Sequence, residues 1–185
     1  MTAIRLDKFD NTNYKDLISW IDNEEALMQF AGPLFKFPLT PEQLDDSLND
    51  KNRIAFRVVN HQTDLSIGHC EIYISENSVK LGRILIGDKE QRGKGMGRQI
   101  VNLLLDFTFY KLNKTVAELN VFDWNVGAIK CYERVGFSIN PGKKQERKIK
   151  DQIWTALNMT IDKSIYEEGK KTVAAGALEP GGLAV

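Results

Sequence analysis

The chain has 185 residues, of which 42% are hydrophobic and 27% charged, the proportions of a soluble globular protein with one full core. Its 25 basic and 25 acidic residues cancel, so the overall charge favours neither nucleic acid nor a membrane surface as a partner. No apolar run is long enough to span a bilayer, no signal peptide opens the chain, and Cys70 and Cys131 lack metal-ligand spacing. We therefore expect a cytoplasmic protein with reduced thiols, no bound metal and no membrane contact.

The first third of the chain predicts one strand and three short helices. The apolar run at residues 34–39 is broken by proline and is interpreted as a loop, which either packs on the core or forms a wall of an acceptor pocket. The elements around it are a strand at residues 3–9, a helix capped by Asn11 or Thr12, a helix at residues 24–30 and a helix from Pro41 that Thr40 caps.

The middle of the chain predicts an antiparallel meander followed by a helical crossover. Strands at residues 53–60, 65–75 and 81–86 are joined by short turns. A helix then leads to a strand at residues 114–122, and a crossover of this kind joins parallel strands. The apolar stripe of that helix consists of Ile100, Leu103, Leu104, Phe107 and Tyr110.

The last predicted elements are a helix from Asn125 to about Val135, a short strand at residues 137–139, a turn at residues 141–144 and a strand at residues 149–161. Together the elements predict a mixed α/β fold, with a mostly antiparallel sheet of about six to seven strands, a parallel pair in its middle and helices on both faces. Residues 1–161 are expected to form a single domain. Residues 162–185 are interpreted as a poorly ordered or artificially added tail.

The turn Gln91–Arg98 places three glycines among cations directly before the crossover helix. Glycine lets backbone N–H groups approach an anion without an obstructing Cβ, and the helix start adds partial positive charge and free donors. A phosphate or pyrophosphate is therefore the predicted ligand. A P-loop is excluded because no Ser or Thr follows Gly93-Lys94, and the glycine spacing argues against a dinucleotide fingerprint.

Two motifs in this part of the chain carry a family resemblance. The run Arg92-x-x-Gly95-x-Gly97 resembles the acyl-CoA pyrophosphate loop of the GCN5-related N-acetyltransferases (GNAT). The segment from Asn125 to Phe137 is similar to that family's second signature, N-x-x-A-x-x-x-Y-x-x-x-G-F. Within the family, the Trp20 to Glu24 segment, the Ala31-Gly32-Pro33 turn and the Gly82-Arg83 strand look most like the branch that acetylates ribosomal-protein N-termini and small amines.

The resemblance implies that acetyl-CoA binds where the two parallel strands splay apart, without a metal. The pantetheine arm would pair with the strand edge Leu85-Ile86-Gly87, because a splayed strand leaves backbone groups unpaired. Asn125 would bind the same arm, and Ala128 would be small because the cofactor passes close by. The residues around the pyrophosphate would be Arg92, Gly93, Lys94, Gly95, Met96, Gly97 and Arg98.

The resemblance also implies that Tyr132 donates a proton to the departing CoA thiolate. The general base is less determined by the residues. Glu71 is the preferred candidate among the possible bases, although an exposed strand carboxylate with no catalytic role explains this residue better. The other candidates on the predicted strands and their ends are His69, Glu118, Asn120 and Asp88.

The expected function is acetyl transfer from acetyl-CoA to a primary amine, by direct attack in a ternary complex. The acceptor is expected to be a protein N-terminus or a small amine, and polyamines rank lower because acidic doublets are few. The alternative is an acyl-CoA-binding module without catalysis. The expected partners are acetyl-CoA and the amine, with no nucleic acid and no membrane, and a homodimer is left open.

Overall fold

The computed structural model describes residues 3–149 and 151–176. The strands are β1 (Ile4–Lys8), β2 (Arg53–Asn60), β3 (Ser66–Ile74), β4 (Val79–Ile86), β5 (Val116–Phe122), β6 (Ser138–Ile149) and β7 (Gln152–Asp162). The α-helices are α1 (Tyr14–Ser19), α2 (Glu24–Ala31), α3 (Pro41–Leu48), α4 (Met96–Asp106), α5 (Val126–Glu133) and α6 (Lys163–Gly176). Short 3-10 turns lie at Asn11–Asn13, Gly32–Leu34 and Lys89–Gln91, and a π-helical turn at Phe107–Lys111 follows α4.

The strands form one sheet of seven in the order β1-β2-β3-β4-β5-β7-β6. β4 and β5 run parallel, and the other neighbouring pairs are antiparallel. The parallel pairing runs from Val79–Ala117 to Leu81–Leu119 and then stops, although both strands continue. The mixed α/β fold class and its parallel pair, opened at one end, are therefore confirmed.

Two apolar cores lie on opposite faces of the sheet. The first packs α4 and α5 against one face, with Ile100, Leu104 and Phe109 fully buried at its centre. The second packs α1, α2 and α3 against the other face over the N-terminal strands. Leu17, Leu27 and Leu44 each bring one of these helices into the second core.

β4 contains a bulge that reverses which face its side chains occupy. His69 pairs with Leu85 and Glu71 with Gly82, so two residues of β4 lie opposite one residue of β3. Arg83, at the bulge, has a φ of +50°. Before the bulge Leu81 packs in the first core, whereas after it Leu85 packs against the second. The extra residue therefore shifts the alternation by one position.

The predicted stripe of the crossover helix is correct up to its last turn. Ile100 and Leu104 are buried, but Tyr110 is 45% exposed and Phe109 is buried in its place. The Leu112 N–H donates to the Phe107 carbonyl, an i to i+5 bond that widens the final turn. This wider turn advances the apolar face by one residue, which α-helical spacing does not predict.

The C-terminal hairpin differs from the predicted arrangement. β6 runs from Ser138 to Ile149, through the segment that was expected to turn at residues 141–144. A shift of register between Ile139 and Lys144 accommodates Pro141 within the strand. The reversal lies instead between Ile149 and Gln152, where β6 and β7 pair at their ends.

Residues 163–176, assigned from composition to a poorly ordered tail, form α6. The buried Tyr166 hydroxyl donates to the Asn102 carbonyl at 3.1 Å and lies 3.1 Å from Asp106, which docks α6 on α4. The expectation is wrong for these residues, because the docking of Tyr166 on α4 outweighs a composition of small residues and glycines. The rest of the predicted tail, from residue 177, lies outside the described residues.

Of the two helix caps predicted in the first third of the chain, one is present, and a different residue provides the other. Thr40 caps α3 as predicted, accepting from the Gln43 N–H at 3.5 Å. Asp10, and neither of the two predicted residues, caps the first 3-10 turn by accepting from the Thr12 N–H. In the part of the chain that the structure describes, no helix is long and apolar enough to cross a membrane.

Candidate active site

The candidate site lies at the carboxyl ends of β4 and β5, beyond the point where they diverge. β4 is followed by the glycine turn and α4, and β5 is followed by a short loop and α5. The gap between diverging parallel strands, flanked by two helix starts, is where open α/β sheets bind ligands.

The glycine turn has the conformation of an anion cradle. Gly93 and Gly95 have φ values of +76° and +78°, which L side chains rarely adopt. A Cβ built on either residue would meet nothing within 4 Å, so the space above the turn is open. α4 starts directly after Gly95 without a side-chain cap, which leaves its first N–H groups for a ligand.

Three cations surround this turn. Arg92 folds back and donates from Nε to the Ile86 carbonyl at 2.9 Å, which closes the turn onto the end of β4. Lys94 and Arg98 are exposed and form no ion pair within residues 3–149 and 151–176. The side chain of Met96 is buried in the first core, so only the Met96 backbone can make the predicted contact with the pyrophosphate.

The predicted edge of β4 is available in part. The Gly87 N–H donates to the Ile67 carbonyl at 2.9 Å, so it is already used toward β3. The Ile86 N–H points the other way, toward the gap, because successive residues of a strand alternate sides. The Ile86 carbonyl already accepts from Arg92 Nε. Leu85 lies opposite His69 in the β3 pairing and faces β3 as Gly87 does. Of the three predicted residues, the geometry therefore favours Ile86.

Gly87 has a different role from the predicted one. A Cβ at this position would lie 1.9 Å from the Trp20 ring. Gly87 thus allows the indole to lie directly against the strand end, beside the site. Nothing in the residue pattern of the Trp20 to Glu24 segment predicts this packing partner.

The start of α5 brings the second motif to the gap. Asn125 caps the helix, with its Oδ1 accepting from the Ala128 N–H at 3.2 Å. Its side-chain NH₂ makes no hydrogen bond in the described part of the chain and is free to donate to a ligand. α5 packs beside the first turn of α4, since a Cβ at Gly97 would lie 3.6 Å from Cys131 Sγ.

Tyr132 lies on α5 with its ring half-buried, 6.1 Å from the Phe137 ring. Burial, with a smaller contribution from Cys131, raises the pKa of the Tyr132 phenol above its usual value. Its hydroxyl has no hydrogen-bond partner among the described residues. Tyr132 therefore holds its proton at neutral pH and can donate a hydrogen bond to a ligand atom.

Glu71 lies in a buried ion cluster and not at an open surface. It is 3% exposed, with Arg53 at 2.7 Å and Arg83 and His69 each at 3.0 Å. Burial alone would raise the pKa of the carboxyl, but the hydrogen bond from His69 and the nearby cationic groups together lower it to about 2. A carboxylate held this firmly in its ionised form is a poor proton acceptor at neutral pH. These contacts argue against Glu71 as the general base.

The other candidate bases are also engaged. His69 is fully buried against the rings of Phe9 and Phe30. Burial opposes ionisation of Glu118, but hydrogen bonds from Lys143 and Asn158 and the charges of Lys80 and Lys143 lower the pKa of its carboxyl. Two further candidates are used locally: Asp88 caps a 3-10 turn, and Asn120 accepts from Asn158.

An open cleft of about 800 Å³ lies beside this gap and was not predicted. One wall is aromatic: Trp124 stacks on Phe122 at 5.7 Å, and Trp154 meets the Trp124 ring edge-on at 5.0 Å. The signal in the sequence was a tryptophan directly before the Asn125 motif. The lining residues are Asn23, Glu25, Ala26, Gln29, Trp124, Gln152, Ile153 and Trp154.

Known proteins share both the sequence pattern and the architecture. The chain is similar to the crystal structure of a spermidine N-acetyltransferase from Vibrio cholerae in complex with CoA and spermine, at 25% identity and a TM-score of 0.74 over 89% of this chain and 98% of that one. A mutant of that enzyme matches with 25% identity and a TM-score of 0.73, over 89% of this chain and 96% of the other. A domain from Methanocaldococcus jannaschii shares the fold at 20% identity, with a TM-score of 0.66 over 86% of this chain and 97% of that one.

Residues 3–138 match the acetyltransferase (GNAT) domain family, which is well over half of the chain. The match includes both motifs, from the glycine turn to Phe137. The expectation of an acyltransferase enzyme that uses acetyl-CoA is thereby confirmed. The chain belongs to the GNAT family of N-acetyltransferases.

Proposed function

We propose that this enzyme transfers the acetyl group of acetyl-CoA directly to a primary amine while both substrates are bound. The observation that carries the proposal is the meeting of two features at the open end of the β4–β5 pair. One is the uncapped start of α4 behind Gly93 and Gly95. The other is α5 with Asn125 and Tyr132.

The residues of the gap fit acetyl-CoA. Its pyrophosphate matches the open glycine turn, where backbone N–H groups and the cations Lys94 and Arg98 converge. The amide groups of its pantetheine arm match the Ile86 N–H on one side and the Asn125 NH₂ on the other. When bound, acetyl-CoA supplies an activated thioester carbonyl.

Tyr132 is proposed as the proton donor to the departing sulfur. A thiolate leaving group has a reference pKa of about 8.5 as its conjugate acid, and it gains charge as the C–S bond breaks. The Tyr132 phenol is protonated and makes no hydrogen bond among the described residues, so it can donate a hydrogen bond to the sulfur as negative charge develops there. That charge drives transfer of the proton to the sulfur, and water returns a proton to the phenolate.

The amine must be neutral when it attacks. Because Glu71, His69 and Glu118 are buried or paired, we propose that water in the open cleft takes the amine proton.

The acceptor is proposed to enter through the tryptophan-walled cleft. A volume of about 800 Å³ accommodates either a small amine or the first residues of a peptide. The similarity to spermidine N-acetyltransferases supports a polyamine as a small-amine acceptor, which the scarcity of acidic doublets had ranked lower.

A CoA-release assay with an amine panel tests the proposal. Spermidine, spermine, a monoamine and peptides with free N-termini are each added with acetyl-CoA, and thiol release is followed with a chromogenic reagent. Release that depends on one acceptor class supports transfer and names the acceptor. Binding of CoA without release on any amine would instead support the non-catalytic acyl-CoA-binding module.

A further inference from the structure

The bulge residue of the cofactor strand is strained and tied down. Arg83 has a φ of +50°, a conformation that a residue with a Cβ rarely adopts in a strand. Its side chain is 6% exposed and lies in the layer under α3. Such a conformation persists only when surrounding contacts hold it.

Three contacts hold the Arg83 side chain. Its Nη1 donates to Glu71 Oε1 at 3.0 Å and to Ser47 Oγ of α3 at 2.7 Å. Its guanidinium also lies 4.2 Å from the centre of the Phe35 ring. The arginine is therefore fixed from β3, from α3 and from the loop before α3.

Glu71 is the centre of this cluster. Its second oxygen accepts from Arg53 of β2 at 2.7 Å, and His69 Nε2 lies 3.0 Å from the first. Because Glu71 is ionised, the His69 Nε2 carries the hydrogen of that bond, which leaves Nδ1 as a buried nitrogen without a partner. A buried nitrogen without a hydrogen-bond partner lowers the stability of the fold, so the presence of this cluster needs an explanation other than stability.

The position of the bulge supplies that reason. β4 and β5 stop pairing after Leu81 and Leu119, and the bulge follows at Arg83. A bulge bends its strand, so β4 turns away from β5 where the acetyl-CoA gap begins. It also sets which residues of β4 face that gap, Ile86 among them.

We propose that Arg83, held by Glu71 and Ser47, is a positioning residue that keeps β4 bent and its Ile86 N–H aimed at acetyl-CoA. It acts from the opposite layer of the sheet and does not touch the cofactor itself. The inference rests on the cofactor half of the proposed function and not on the identity of the acceptor.

Binding of CoA by calorimetry tests this with two substitutions of one residue. Arg83→Ala removes the holding contacts but keeps a Cβ that disfavours positive φ, so CoA affinity should fall about tenfold. Arg83→Gly removes the same contacts but adopts φ of +50° without strain, so affinity should stay within about threefold of the wild type. A role in stability alone would lower Tm for both and leave CoA affinity unchanged.

Milder variants keep the test open if either substitution prevents folding. Ser47→Ala removes one hydrogen bond from the far layer and should weaken CoA binding about threefold. Asp7→Asn is the matched control, because it loosens the Arg57 ion pair between β1 and β2, away from the bulge, and should leave CoA affinity unchanged. The proposal is overturned if Arg83→Ala binds CoA as tightly as the wild type, or if Arg83→Gly binds CoA as weakly as Arg83→Ala. If neither variant folds, wild-type CoA affinity in Ser47→Ala overturns it.

CoA affinity does not depend on catalysis, so the two proposals fail separately. If no amine elicits CoA release, the proposed transfer fails while the role of Arg83 is still measured by calorimetry. If transfer occurs and Arg83→Ala binds CoA normally, only the positioning role fails.

Discussion

The Trp20 indole occupies the space where any side chain on Gly87 would have to lie. A Cβ built on Gly87 comes within 1.9 Å of Cδ2 of that ring. This contact joins the end of α1 to the end of β4, so the N-terminal helices and the start of the glycine turn share one packed junction.

Gly87→Ala should destabilise the fold by about 2 kcal/mol, because the Trp20 ring must move to admit a methyl group. The measurement is urea unfolding of the variant beside Gly82→Ala, a position on the same strand where a Cβ meets nothing within 4 Å. The control should change stability by less than about 0.5 kcal/mol. The double variant with Trp20→Ala should show strong coupling between the two sites, and additive effects would contradict the steric explanation.

Tyr132→Phe should lower kcat about 100-fold and leave the KM for acetyl-CoA nearly unchanged, because the phenol acts on the departing sulfur and not on the bound cofactor. Steady-state CoA release with the best acceptor of the panel measures both constants. Phe137→Leu is the control for lost packing, since Phe137 touches the tyrosine ring but has no hydroxyl. An unchanged kcat in Tyr132→Phe would remove the assigned role.

Glu71→Gln should lose stability in a pH-dependent way. The folded pKa of Glu71, about 2, lies below its ordinary value of 4.5, so its ionisation stabilises the fold fully above about pH 4.5, and this contribution is lost as pH falls toward 2. The contribution amounts to roughly 3 kcal/mol at neutral pH. The difference in unfolding free energy between the wild type and the variant, measured from pH 7 to pH 3, should therefore shrink steadily as the pH falls. A constant difference across that range would show that Glu71 acts by packing alone.

Trp124→Ala should raise the KM for the acceptor by about tenfold without changing the KM for acetyl-CoA, because the indole forms a wall of the cleft and not of the glycine turn. Tyr110→Ala is the matched control, since Tyr110 is an aromatic of the same 45% exposure on another part of the surface. Equal acceptor KM values in the two variants would move the acceptor site away from this cleft.

The open glycine turn and the cap of α5 could be predicted because each depends on local backbone chemistry. Gly93 and Gly95 adopt positive φ, and Asn125 caps the helix that it begins, so each residue type carries its own geometry. The family resemblance followed from these residues, and the matched domain over residues 3–138 agrees with it. The order and spacing of the elements also predicted the mixed sheet with its parallel pair.

The sequence by itself determined the family, the fold class and the cofactor, since these follow from residue types at fixed spacings. Only the tertiary structure decided the environment of Glu71, because its partners Arg53 and Arg83 come from two other strands and turn an apparently exposed carboxylate into a buried, paired one. The bulge at Arg83 and the cleft at Trp124 were likewise decided by contacts between distant segments. Such contacts determine which face a side chain occupies and how much water reaches it, and neither property is written in local spacing.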